Sequence, residues 1–187
     1  MTAELNLTSN SRIEFGFGTV TPGKEEWMYG EYFPSMGPTM AEHGLSILAG
    51  FSVIATNYAG GTPQTGSLAS WPSAGKREAL HNDPRFLAIK PARDAAMDLF
   101  SGGHLFQSMD EVITLNTDSD YAIIIANDSG VVSDLIFVLP LASDSPEQTY
   151  AGKSIMLRPW SESDEVLLKS SPEEAEVFRV RFSSSAQ

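Results

Sequence analysis

Between Arg12 and Thr21, Ile13, Phe15 and Phe17 fall on one side of the chain and Glu14 with two glycines on the other. This period of two predicts a strand. Thr21-Pro22-Gly23 then turns into a helix over Lys24 to Phe33, with Glu25 and Glu26 placed favourably in its first turn. Met28, Tyr32, Met36 and Met40 recur every four residues as one packed face, which Pro34 and Pro38 divide into two short helical pieces ending at Gly44. Leu45 to Tyr58 is an apolar, β-branched run that predicts a long strand bent at Gly50. After the loop Ala59 to Pro63 come a short strand, Gly66 to Trp71, and a helix, Ala74 to His81. Asp83 stands as N-cap with Pro84 at the first helical position. Two more helical pieces follow, Arg85 to Lys90 and Ala92 to Phe100, separated by Pro91 and stopped by Ser101-Gly102-Gly103. A strand begins at about His104.

The order strand, helix, strand, strand, helices, strand is a split β-α-β-β-α-β arrangement, a ferredoxin-like sheet with its helices on one face. Its other face must be covered by something. After Asp110 the pattern changes. Glu111 to Leu115, Tyr121 to Ala126, Leu135 to Leu141, Ser154 to Trp160, Glu165 to Lys169 and Val177 to Phe182 all read as strands. Turn clusters at 116–118, 127–130 and 143–146 separate them, and Asp118, Asp120, Asn127, Asp128, Asp144 and Asp164 are read as turn residues. The fold class is therefore α+β: a loose polar arm over 1–11, a ferredoxin-like domain over 12–110, and a β-rich C-terminal half over 111–187. No internal repeat is visible, because a second copy of the first half would need two helices that the second half does not show.

Composition narrows the classes. A chain of 187 residues suits one large domain or a domain with an appended subdomain. The formal net charge of -12, with basic residues scattered, argues against a nucleic-acid partner. There is no cysteine, so thiol chemistry and thiolate metal sites are excluded. No apolar run reaches the roughly 20 residues of a spanning helix and no signal peptide is visible, so a cytoplasmic protein without membrane contact is expected. No HxH, HExxH, GxSxG or phosphate-loop spacing occurs, so neither a metal nor a cofactor is expected.

The candidate chemistry gathers between Trp71 and His104. His81 beside Arg85 could polarise a carbonyl or accept a proton, with Tyr32 as the second catalytic candidate. The plainer reading of His81 is a solvated helix-end histidine. Arg93 is the candidate anchor for a carboxylate-bearing ligand, set against an ordinary ion-paired arginine, and Lys90–Asp94 reads as an i,i+4 pair. Trp71 and Trp27, with Tyr32 and Phe33, could line an apolar pocket or simply fill core. Arg85 completes the ligand-binding set.

The strand RIEFGFGTV, the helix EEWMYGEYFPSM followed by EHG, and the step HNDPRF followed by KPARD resemble the dimeric α+β barrel proteins, and among them the DUF1330-type and EthD-type sequences. The resemblance covers about residues 12–110, with Asp83-Pro84-Arg85-Phe86 and Arg93 matching the family's second-helix step. It implies a homodimer, unless the C-terminal half takes the partner's place over the open sheet face. It also implies a range of activities that includes cofactor-free monooxygenases, haem-degrading enzymes and isomerases. Function must then be argued from the site. The expectation is a protein that binds a small apolar or carboxylate-bearing molecule. A cofactor-independent monooxygenase- or isomerase-like enzyme and a structural or interaction subunit are the alternatives.

Overall fold

The alternation in the first strand continues around a closed barrel. The computed structural model describes residues 1–127 and 133–183. Ten strands occur among them: β1 (Thr2–Leu7), β2 (Arg12–Val20), β3 (Ser46–Thr56), β4 (Thr65–Trp71), β5 (Met97–Gln107), β6 (Glu111–Asn116), β7 (Asp120–Asn127), β8 (Phe137–Pro140), β9 (Lys153–Pro159) and β10 (Ala175–Phe182). The helices are α1 (Glu25–Trp27), α2 (Phe33–Glu42), α3 (Ala74–His81), α4 (Pro84–Ala95) and α5 (Glu162–Leu167), with a π-helical stretch, Met28–Tyr32, joining α1 to α2.

Eight strands form one antiparallel sheet in the order β5-β2-β4-β3-β10-β7-β9-β8. Its two ends meet where Phe106 bridges Leu141 and the Ala142 N–H donates to the Leu105 carbonyl at 2.8 Å. In chain order, the first four sheet strands (β2, β3, β4, β5) lie as fourth-first-third-second, and the last four (β7, β8, β9, β10) repeat that arrangement. This α+β barrel is therefore two ferredoxin-like strand sets joined edge to edge, β3 to β10 and β5 to β8. The repeat that the sequence does not display is a repeat of topology. It is hidden because the first crossover of the second half shows no helix among its described residues, 133–136, and the second crossover holds only the short α5.

The second half covers the open face of the first. Phe15, Phe17, Phe51, Phe178 and Phe182 share the interior cluster with Tyr121, Ile123, Ile125, Tyr150, Ile155 and Leu157. Phe17 and Phe178, one from each half, lie 4.9 Å apart between ring centroids, and Phe15 and Phe178 lie 5.2 Å apart. That density makes the interior a packed core rather than a channel. β1 pairs antiparallel with β6. Leu5, Leu7, Ile113 and Leu115 of this pair enter the same interior cluster.

Several expectations are corrected. The arm over 1–11 is not loose: Ala3, Leu5 and Leu7 alternate inward as β1, and apolar burial against the barrel orders it. Pro38 and Pro91 lie inside α2 and α4 instead of breaking them. Each removes one N–H, and the carbonyls left over belong to Pro34 and Leu87, both exposed residues, so neither break falls in the core. Residues 97–100 belong to β5 rather than to a helix, with Met97 opposite Val20 and Phe100 opposite Gly18. Ladder pairing there overrides the helix propensity of Ala, Met and Leu. Residues 162–167 are helical, not extended, because Ser161 and Asp164 form a capping box. Asp164 is accordingly no turn residue. It is fully buried in an ion pair with Arg158 at 2.5 Å. Asp120 opens β7 and receives Arg179 and Arg181. The turn placed at 127–130, with Asp128, lies largely outside the described residues.

Candidate functional site

The outer face of β2, β4 and β5 is covered by α1 to α4. The apolar layer beneath them contains Met28, Tyr32, Met36, Trp71, Leu80, Phe86 and Leu105, with Trp27 packed at its side. The π-helical stretch helps to set this up. The Phe33 N–H donates to the Met28 carbonyl, five residues back, and both Met28 and Tyr32 turn inward.

Arg93, near the end of α4, lies in this layer and is 8% exposed. Its guanidinium carbon stands 4.4 Å above the Phe100 ring centroid and 5.7 Å from that of Phe86. Asp94 Oδ1 is 2.8 Å from Arg93 Nε, but the approach lacks hydrogen-bond direction, and the buried Nε–H has no partner. The charge is met by the Asp94 carboxylate, which Lys90 shares at 2.6 Å. The Tyr32 hydroxyl is close enough to feel the Arg93 charge. Burial nevertheless raises its pKa above the usual phenol value, so Tyr32 is a neutral hydroxyl at physiological pH.

His81 closes α3, with its ring 4.8 Å from that of Phe86. Burial first and the Arg77 cation second lower its pKa to about 4, so the imidazole is neutral near pH 7. Trp71 is held by a carboxylate that sequence reasoning passed over. Glu14, on the helix-side face of β2, accepts from Trp71 Nε1 at 2.6 Å, Arg77 Nε at 2.9 Å and the Gly103 N–H at 2.6 Å. Gly103 is needed there, with φ +89°. A Cβ would meet Glu147 Cγ at 2.9 Å and the Arg77 guanidinium at 3.2 Å. The available signal was a charged residue between two apolar strand positions, two residues before a glycine on the same strand face.

The structure thus gathers Tyr32, Trp71, His81 and Arg93, with Trp27 beside Tyr32 at 5.8 Å between ring centroids, in or at the edge of one layer. Phe33 is exposed, with its ring 5.1 Å from that of Tyr32. Arg85 is not brought in. It is half exposed, and its guanidinium is taken up by Asp83 and Glu42 at 2.8 and 2.7 Å. Asp83 also meets His43 Nε2 at 3.0 Å, so this network clips α2 to α4. Lys90 and Asp94 form the expected i,i+4 pair at 2.6 Å. A shallow depression of about 330 Å³ lies beyond Trp71, lined by Thr8, Asn10, Ser11, Gly44, Ser70 and Pro72, and touches none of the candidates.

A second polar cluster lies inside the barrel. His104 on β5 faces the interior opposite Phe15 and is 7% exposed, and neither ring nitrogen has a partner. Leaving such a group unsatisfied costs about 1–3 kcal/mol. Among the described residues no group of three or more His, Asp and Glu side chains is placed to hold a metal ion.

No known family profile matches the chain, and no curated protein is significantly similar in sequence. One solved structure, described as an anthrone oxidase-like protein, shares the fold with a TM-score of 0.54 at 10% identity. The likeness covers 98% of this chain and 97% of that one. At that identity it speaks for the fold: the whole barrel, both halves, recurs in a single chain of nearly the same extent.

Proposed function

We propose that this chain binds a small, largely apolar molecule bearing a carboxylate or an acidic hydroxyl, taken in beneath α2 and α4 against Trp71. The observation that carries this reading is Arg93, buried against Phe86 and Phe100, whose Nε meets only the badly aligned, half-exposed Asp94 carboxylate that Lys90 also holds, an anion a ligand carboxylate can replace. Desolvated guanidinium groups are strong anchors for planar anions, and the surrounding rings suit an aromatic body. Tyr32 supplies a neutral hydroxyl as second donor, and Glu14 holds Trp71 in place from the sheet side. The test is a titration with aromatic carboxylates followed by Trp fluorescence. Arg93→Met should weaken binding by more than tenfold while Arg85→Met leaves it unchanged. Equal loss in both variants would point to surface charge and end the reading.

A second reading, a cofactor-independent oxygenase, is favoured by the full-length likeness to the anthrone oxidase-like protein and by the neutral imidazole at the layer's edge. Such an enzyme needs a base to take a proton from an activated substrate carbon, with dioxygen as the oxidant. His81 is the base within reach of the layer. Oxygen uptake with anthrone as substrate, lost in His81→Phe and retained in His104→Phe, would support it. Absence of uptake in the wild-type protein would leave the binding reading alone.

A further inference from the structure

The barrel closes through a strap, residues 141–152, rather than through a full eighth strand. β8 ends at Pro140, and the seam then rests on a few bonds. Ala142 N–H donates to Leu105 O at 2.8 Å and Glu147 N–H to Gly103 O at 3.3 Å, while the Leu105 N–H donates to Ser145 Oγ at 3.0 Å. Tyr150, near the end of the strap, enters the barrel. Its ring lies on His104 at 4.3 Å between centroids with a 36° tilt, and its hydroxyl donates to Glu176 Oε2 at 2.5 Å. Phe17, Tyr58 and Phe178 wall the same end of the barrel, with Tyr58 4.9 Å from Phe17 between centroids.

Tyr150 is in effect a phenol bound inside its own protein, and it is an incomplete occupant. It satisfies Glu176 but leaves both His104 nitrogens without a partner, although that side chain is more than nine-tenths buried. The strap that carries it has no helix or strand between Ala142 and Gly152 and ends at Gly152 with φ +78°. We propose that Tyr150 is a displaceable plug in a site for hydroxylated aromatic molecules carrying a second polar group. In that site one hydroxyl replaces the Tyr150 phenol on Glu176 and the second group pairs with His104. This site lies inside the barrel and is independent of the helix-side layer around Arg93.

Calorimetric titration of Tyr150→Ala with catechol, phenol and toluene tests the chemistry. Catechol should bind about fivefold more tightly than phenol, the worth of one added hydrogen bond, and toluene should bind most weakly. His104→Phe in the same background should erase the advantage of catechol over phenol. Hydrogen exchange on the wild-type protein tests the displacement: saturating catechol should speed exchange across 142–152. Toluene binding to Tyr150→Ala as tightly as catechol would reduce the site to a hole left by the mutation and overturn the proposal. Unchanged exchange of the wild-type strap would make Tyr150 a permanent core residue and overturn it equally. Should Tyr150→Ala fail to fold, the wild-type exchange experiment decides alone.

Discussion

Glu14 shows how much one side chain can organise. A carboxylate on the helix-side face of a strand is costly unless its oxygens are hydrogen-bonded, and here Trp71, Arg77 and the Gly103 backbone donate to both of them. Replacing Glu14 with Leu leaves the Trp71 and Arg77 donors buried and unpaired. The expected loss is about 3 kcal/mol in urea unfolding, together with a red-shifted, more mobile Trp71 emission. The histidines give a pH signature. His81 and His104 are both lowered by burial, His81 to about 4. Below pH 6.5 the unfolded chain therefore takes up protons that the folded chain refuses. Stability should fall as pH drops from about 6.5 towards 4, before paired carboxylates such as Asp83 and Asp144, held below their usual range by Arg85 and Arg12, begin to protonate. Denaturation midpoints at pH 7 and pH 5 measure this, and His81→Gln should flatten the slope. An unchanged slope would show that the imidazole is solvated in the folded protein.

The elements teach a different lesson. α3 and the Asp83-Pro84 start of α4 were legible because caps and breakers act over three or four residues: Ser73 accepts from the Lys76 N–H, and Asp83 from the Arg85 N–H. The start of β5 and the nature of α5 were not. Residues 97–100 carry helix-forming side chains and become a strand only because β2 offers its edge. In the other direction, the short apolar run around Val166 looks extended until the capping box and Arg158 are considered. Arg158 also reaches Ser161 and Ser163 at 3.1 and 2.7 Å, so Asp164 joins β9 to α5. Asp164→Ala strands a buried guanidinium, and a loss of about 3–5 kcal/mol is expected. Arg158→Met with Asp164→Leu should recover much of it, since replacing both partners of a buried pair is often neutral. A double variant as unstable as the single one would show that the pair also fixes helix position.

At the scale of the molecule, the two strand sets depend on each other. Residues 12–110 alone would expose Phe15, Phe17, Phe51 and Leu68, which the second half now buries. That fragment should therefore aggregate or self-associate in size-exclusion chromatography. A monodisperse, cooperatively folded monomer would show that the first half is independent. The chain itself supplies both strand sets of the barrel, so the sheet face through which a homodimer would form has no need of a partner. Light scattering should return the single-chain mass of 20.2 kDa, and a dimer would have to be held through the helices, where Tyr29, Phe33 and Leu87 are exposed.

Local order was what the sequence could determine by itself. Strand alternation, helix caps and the split β-α-β-β-α-β order of the first half follow from interactions between residues close in the chain. The candidates Tyr32, Trp71 and Arg93 were legible on the same terms, as chemistry standing at helix and strand ends. Tertiary structure decided everything that depends on distant partners. It closed the barrel by pairing β3 with β10, and it revealed the duplicated topology beneath a half whose described residues hold only the short α5. It committed Arg85 to the surface, and it set His104 beneath Tyr150. Apart from the local hold of Asp83 on Arg85, these outcomes rest on contacts between residues 40 or more positions apart in the chain, such as Leu105 with Ser145 and Phe178 with Thr56. No local pattern encodes such pairs, because the free energy that selects them comes from burying two faces against each other.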